Sequence, residues 1–152
     1  MKGLVIYDSV FGNTKKVAEA IATALGYPLM PVIAANTEQV KGYEHLVLGS
    51  PTRAFSATEV MKAFIKALPA ESMRGVKVSA FDTRMDVKEV NNKFLTFMES
   101  IFGYAADPMA KGLVKMGAVL VGKPEGFFVN ASEGPLRDGE LERAADWAKS
   151  LK

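Results

Sequence analysis

Residues 4–14 read Leu4-Val5-Ile6-Tyr7-Asp8-Ser9-Val10-Phe11-Gly12-Asn13-Thr14. The first four form a continuous apolar run, the pattern of a strand buried on both faces. From Asn13 to Leu25 the period changes: Val17, Ile21, Ala24 and Leu25 fall on one helical face, and Gly26 stops the helix. A buried strand therefore passes through a short hydroxyl-bearing turn directly into a helix. Such a junction suits an anion, because first-turn N–H groups lack partners and the helix dipole adds about half a positive charge. The Ser9 and Thr14 hydroxyls and the Asn13 amide offer further donors, and Gly12 lets the backbone curl. Simple helix capping by Ser9 or Asn13 explains the same residues equally well.

Outward from this junction the alternation continues. Leu29 to Ile33 reads as a strand placed at an edge by Pro31. Leu46-Val47-Leu48-Gly49 is a buried strand. Ser56 to Leu68 is a helix with Ser56 and Glu59 at capping-box spacing, and Pro69 ends it. Val76 to Phe81 is the next strand, with Asp82 at its end. Phe94, Phe97, Met98, Ile101 and Phe102 repeat at helical spacing up to Gly103. Asp107-Pro108 reads as an N-cap and first helical residue, opening a helix to Met116. Ala118 to Val121 and Phe127 to Val129 are one split strand or two short ones. Leu141 to Leu151 is a final amphipathic helix, with Trp147 on its core side. The alternation predicts one domain over residues 1–152, an open parallel sheet with helices on both faces. Ligands in such folds bind beyond the carboxyl ends of the strands, here after Tyr7, Leu48 and Phe81.

Composition closes several routes. Hydrophobic residues make up 49% and charged residues 24%, which excludes global disorder. There is no cysteine, so disulfides, thiolate metal sites and cysteine nucleophiles are excluded. The single histidine excludes a multi-histidine metal site. His45 itself precedes the third strand and reads as an exposed loop residue. No apolar run approaches the ~20 residues of a membrane span. The first residues lack a signal peptide's apolar region, so the expected location is cytoplasmic. The net charge is +2, without a basic run longer than Lys15-Lys16, which speaks against nucleic acid. Asp82 has no histidine or nucleophile beside it in sequence, so a hydrolase triad is not expected.

The second loop reads Gly49-Ser50-Pro51-Thr52-Arg53-Ala54-Phe55-Ser56, and the third begins Phe81-Asp82-Thr83-Arg84-Met85. A Walker loop requires G-x-x-x-x-G-K-[ST] and a dinucleotide fingerprint requires G-x-G-x-x-G. Gly12 is the only glycine in the first loop, so both are excluded. Three loops in this order, each after a buried strand, resemble the flavodoxin family over nearly the whole chain. The first loop is similar to the family's hydroxyl-rich phosphate loop, with its Gly-Asn-Thr ending intact. The resemblance implies a five-stranded parallel sheet of order 2-1-3-4-5 in a three-layer α/β/α sandwich. It also implies noncovalent FMN, electron transfer, and redox proteins as partners that meet the exposed ring edge. Ser9, Val10, Phe11, Gly12, Asn13 and Thr14 would then hold the phosphate. Pro51, Thr52, Arg53, Ala54 and Phe55 would flank one side of the ring, and Asp82, Thr83, Arg84 and Met85 the other. Gly103 and Tyr104 would add backbone contacts at the pyrimidine edge.

Four features depart from the family pattern. Phe11 replaces a hydroxyl residue of the phosphate loop. The second loop lacks a stacking Trp, for which Phe55 or Tyr104 would substitute. Met85 to Phe102 exceeds a bare ring-covering loop and is expected to form an extra helix near the ring. Many flavodoxins are strongly acidic, whereas this chain is +2. Arg53 and Arg84 read either as solvated loop residues or as charges near the ring, where they would favour an anionic reduced flavin. Alternatives to a carrier are an FMN-dependent reductase of a quinone or similar acceptor, and a flavin-free interaction module.

Overall fold

The computed structural model describes residues 1–86 and 92–152. Strands β1 (Gly3–Tyr7), β2 (Leu29–Pro31), β3 (His45–Pro51) and β4 (Lys77–Met85) pair in parallel in the order β2-β1-β3-β4. The outer edge of β4 carries two short strands in succession. β5 (Val119–Leu120) pairs with its first residues, and β6 (Glu125–Val129) pairs from Phe81 to Met85. The sheet is thus the expected 2-1-3-4-5 with its last strand interrupted, giving six strands among the described residues.

Side-chain alternation divides the core in two. Leu4, Ile6, Leu46, Leu48, Val78 and Ala80 face helix α2 (Glu59–Ala67) and helix α4 (Ala106–Lys115), which contribute Met61, Phe64, Met109 and Leu113. Val5, Tyr7, Val47, Phe81 and Phe127 face α1 (Asn13–Leu25) and α5 (Glu140–Ser150). Helices on both faces explain why β1 could be apolar throughout. Trp147 joins this second core: its ring lies 6.2 Å from Phe81 and 6.1 Å from Phe127, and its indole N–H donates to Lys123 O at 3.0 Å. Helix α3 (Lys93–Phe102) is the extra helix expected between Met85 and Gly103, with Phe94 and Phe97 exposed. Residues 87–91 of that stretch lie outside the described residues. Among the described residues no helix is long and apolar enough to cross a membrane, and no cluster of three His, Asp or Glu could hold a metal.

Three local readings are corrected by the structure, two of them by contacts distant in sequence. Helix α2 starts later than the Ser56–Glu59 spacing indicates. Its cap is Thr58, which accepts the Met61 N–H at 3.2 Å, while Ser56 sits in the preceding turn. Helix α4 starts at Ala106, and Asp107 lies in its first turn instead of capping it. The cap comes from across the fold: Asp82 Oδ2 accepts the Ala106 N–H at 2.9 Å.

His45 is the third correction. It opens β3 and is 1% exposed, because Tyr27 and Ser79 hold both ring nitrogens. The Ser79 hydroxyl donates to Val121 O at 2.7 Å, so it accepts from His45 Nε2 at 2.8 Å. Nδ1 is then left to accept from the Tyr27 hydroxyl at 2.9 Å. Burial, and then the Lys77 charge, lower the His45 pKa. The unfolded chain therefore binds this proton first, from about pH 6.5 downward. Stability is complete above that value and falls as pH drops toward the lower folded pKa. We expect the urea midpoint to decrease between pH 7.5 and 5.5, and a His45→Gln variant to flatten that dependence. An equally steep dependence in the variant would exclude His45 as its source.

Candidate functional site

The C-terminal ends of β1, β3, β4 and β6 surround a cleft of about 310 Å³. Its first wall is the β1–α1 turn. Gly12 takes φ 94° at the helix N-cap, a left-handed conformation that glycine adopts without steric cost. This turn folds the Gly12 N–H, at 3.1 Å, and the Lys15 N–H, at 3.3 Å, onto the Ser9 hydroxyl oxygen. No side chain at the N-cap position itself caps α1. One oxygen therefore sits where two first-turn donors and the positive helix end converge, as an anion oxygen would. Asn13 Nδ2 donates to Glu133 O at 3.0 Å and ties the turn to the loop after β6. The buried Thr14 hydroxyl meets the Thr83 hydroxyl at 2.7 Å and ties it to the end of β4.

The second wall is the loop after β3. Arg53 and Ser56 exchange backbone hydrogen bonds at 2.7 and 3.0 Å across a two-residue turn. Its central residues, Ala54 at φ 48° and Phe55 at φ 64°, are both left-handed. Asn-Gly is the usual pair for such a turn, and each non-glycine residue there costs roughly 1–2 kcal/mol. The surrounding bonds hold the strained turn in place: Thr52 N–H donates to Thr83 O at 2.8 Å, and Thr52 Oγ1 accepts from Ala105 N–H at 3.1 Å. Arg53 is exposed, with its guanidinium 5.5 Å from the Phe11 ring centre.

The third wall is the end of β4, whose polar sequence suggests a loop. It continues as strand through Asp82, Thr83, Arg84 and Met85 because β6 pairs with those residues. Asp82 is fully buried and takes both Arg84 Nε, at 2.6 Å, and Nη2, at 2.7 Å. The guanidinium lies 3.7 Å from the Tyr104 ring centre, and a Cβ at Gly126 would overlap it. The slot exists because residue 126 has no side chain. Burial pushes the Asp82 carboxyl above the usual carboxylate range, and the Arg84 hydrogen bonds and charge and the Ala106 N–H oppose that rise.

Ser9, Val10, Phe11, Asn13, Thr14, Pro51, Thr52, Arg53, Ala54, Thr83, Arg84 and Met85 line the cleft together. Gly12 shapes it through backbone conformation, and Asp82 lies beneath it and orients Arg84. Phe55, Gly103 and Tyr104 are not among its lining residues. Gly103 and Tyr104 face a separate depression with Asp107 and Lys111, and the Tyr104 ring is engaged by Arg84. Val129 and Ser132 also line the cleft, and the sequence reading missed both. The rule that selected the other three loops also selects theirs, which follows the Phe127–Val129 strand.

A family model described as the flavodoxin domain matches residues 4–116. A flavodoxin of Maridesulfovibrio salexigens is 29% identical over 130 residues, covering 80% of this chain and 82% of that protein. Among solved structures, a flavodoxin from the domain Archaea superposes with a TM-score of 0.78 at 20% identity, covering 99% of this chain and 96% of its own. Flavodoxin 1 of Bacillus cereus gives 0.77 at 18% identity, covering 99% and 97%. The match spans β1 through α4 and so includes three of the four loops around the cleft; this chain belongs to the flavodoxin family of FMN-binding electron-transfer proteins.

Proposed function

We propose that the cleft described above is the FMN site and that this protein carries electrons between other redox proteins. The convergence of the Gly12 and Lys15 N–H groups on the Ser9 oxygen carries the reading. A phosphate oxygen presented at that point meets the same two donors, with the Ser9 hydroxyl turned to donate in its turn. The exchange suits the donor set, and the loss of a hydroxyl at Phe11 leaves it intact. FMN supplies the redox chemistry when bound. The chain's residues position it: Pro51, Thr52 and Ala54 form one wall for the ring, and Thr83, Arg84 and Met85 the other.

The two arginines differ in what they offer the site. The Arg84 charge is matched by the Asp82 carboxylate at 2.6 and 2.7 Å, so this pair is electrically neutral toward the cleft. Its role is to shape the wall. Arg53 makes no ion pair with a described carboxylate and brings a net positive charge to the mouth.

Titration of the flavin-free protein with FMN and with riboflavin, followed by flavin fluorescence, tests the site. Charge-assisted hydrogen bonds contribute about 1.5–3 kcal/mol each, so FMN should bind at least about tenfold tighter than riboflavin. Equal affinity would remove the phosphate role of the first loop. Absence of any fluorescence change with FMN would favour a flavin-free interaction module. Sustained NAD(P)H oxidation by the FMN-loaded protein alone would mark it as a reductase.

A further inference from the structure

Helices α2 and α4 lie side by side on one face of the sheet, and a groove of about 540 Å³ runs between them. Ser56 and Pro108 stand at its start, Leu68 and Met116 at its end. It therefore follows both helices for their full length, about 14 Å for the nine residues of α2. Its volume lies within the ~300–1,000 Å³ of small-ligand pockets. Leu68 and Met109 are buried beneath it, with Ile65 and Met116 partly buried beside them. None of its lining residues lines the cleft.

Packing does not account for Gly112, which also lines the groove. It lies inside α4, where glycine is the poorest helix former after proline. A Cβ there would meet nothing within 4 Å except Ile65 Cγ2 at 3.9 Å, an ordinary contact. Neither the backbone nor the approach of the two helices requires a glycine at this position. Its effect is to keep the groove open opposite Ile65.

The charge along the groove has one sign. Lys62 and Lys66, one turn apart on α2, line it, and no carboxylate does. Lys62 is shared with the exposed Glu59 at 2.8 Å, and Lys66 has no carboxylate partner among the described residues. Glu59 stands against Lys62 and Lys66 on α2, and Asp107 against Lys111 and Lys115 on α4, so each helix keeps one excess positive charge. Glu71, beyond the end of α2, is paired with Arg74 at 3.4 Å.

We propose that this groove binds a single-chain aliphatic carboxylate. The hydrocarbon lies on Ile65, Leu68, Met109 and Met116, and Lys62 and Lys66 meet the head group. Burial of the chain supplies affinity, and the lysines select the sign of the head. A second copy of this chain is disfavoured, because an isologous pair would set two faces of like excess charge against each other. The inference is independent of the cleft and of FMN.

The test is an NMR titration of the purified protein, isotope-labelled at its methionine methyls, with decanoate, decanol or decylammonium below their aggregation limits. Decanoate should shift the Met109 and Met116 methyls saturably and leave Met1 unmoved. Affinity should fall in the order decanoate, decanol, decylammonium, by about twofold to fivefold at each step, the range of exposed ion pairs. Lys62→Gln and Lys66→Gln should each weaken decanoate by about the same factor and leave decanol unchanged. Lys115→Gln removes the same charge outside the groove and should do neither. Gly112→Leu displaces at least about two methylenes of chain from the apolar floor and should weaken all three probes at least about tenfold. Its urea midpoint should stay level or rise, because leucine is the better helix former. Should that midpoint fall instead, the lysine variants and the probe order decide alone.

Absence of a saturable shift with decanoate would overturn the inference, as would binding that a folded Gly112→Leu variant leaves unchanged. Equal affinity for the three probes would overturn it too, and would mark the groove as a seat for an apolar side chain of another protein.

Discussion

Arg84→Ala should destabilise the protein by about 3–5 kcal/mol, because it strands a carboxylate that was paired and fully buried. Asp82 would retain the Ala106 N–H and lose both guanidinium bonds. The guanidinium also fills the slot between the Tyr104 ring and Gly126, so packing is lost with the charge. The deficit should depend on pH in a definite direction. Asp82 is already raised by burial, and the variant removes the main opposing influence. Its folded pKa then stands further above the unfolded value of about 3.9, so the folded state keeps a proton that the unfolded state has released. Stability of the variant consequently falls as pH rises through that folded pKa, and the deficit is smaller at pH 5 than at pH 8. Urea denaturation at both values checks this. Arg84→Lys should recover only part of the loss, because an ammonium cannot make both parallel bonds. A pH-independent deficit would mean that packing, and not the stranded carboxylate, dominates.

Phe81→Ala should cost a comparable amount, about 3–5 kcal/mol, for a different reason. Phe81 is fully buried, and its ring stands 6.2 Å from both the Phe127 and Trp147 centroids. It also covers Gly49 on the neighbouring strand, where a Cβ would overlap the ring. The variant leaves a cavity over that glycine. Gly49→Ala in the natural background forces the ring aside and should itself destabilise by about 1–3 kcal/mol. In the Phe81→Ala background the same methyl enters empty space. The double variant should therefore be more stable than the sum of the two losses implies, a coupling that a double-mutant cycle reads directly. Emission of Trp147, the chain's single tryptophan, reports the repacking. Strict additivity would show that the methyl at 49 never meets the ring.

Local patterns carried much of the architecture. The apolar runs at Leu4–Tyr7 and Leu46–Leu48, and the helical stripes at Val17–Leu25 and Val60–Leu68, needed only their own periodicity to be read. Errors arose where a partner distant in sequence settles the outcome. Asp82 to Arg84 looks like a loop because three consecutive polar residues do not announce a strand; pairing with β6 makes them one. His45 looked exposed because a lone histidine beside a strand is usually solvated. Tyr27 and Ser79, 18 and 34 residues away, make its burial affordable. The cap of α4 follows the same rule, since Asp82 supplies it from 24 residues away, whereas the Thr58 cap of α2 is local.

The sequence by itself determined the succession of strands and helices and the three loops facing the ligand side, because periodicity and turn chemistry are properties of neighbouring residues; the family entered as a resemblance carried by those loops. It also named most of the residues that line the cleft. Only the tertiary structure decided what those residues do for one another. It added Val129 and Ser132, closed the cleft against the end of β6, and separated Tyr104 from it. It also told two arginines apart that look alike in sequence. Arg84 is neutralised by a buried carboxylate two residues away on the same strand, and Arg53 stands out from a strained turn over an exposed phenylalanine. Charge acts through distance and burial, and neither is set until the chain has folded.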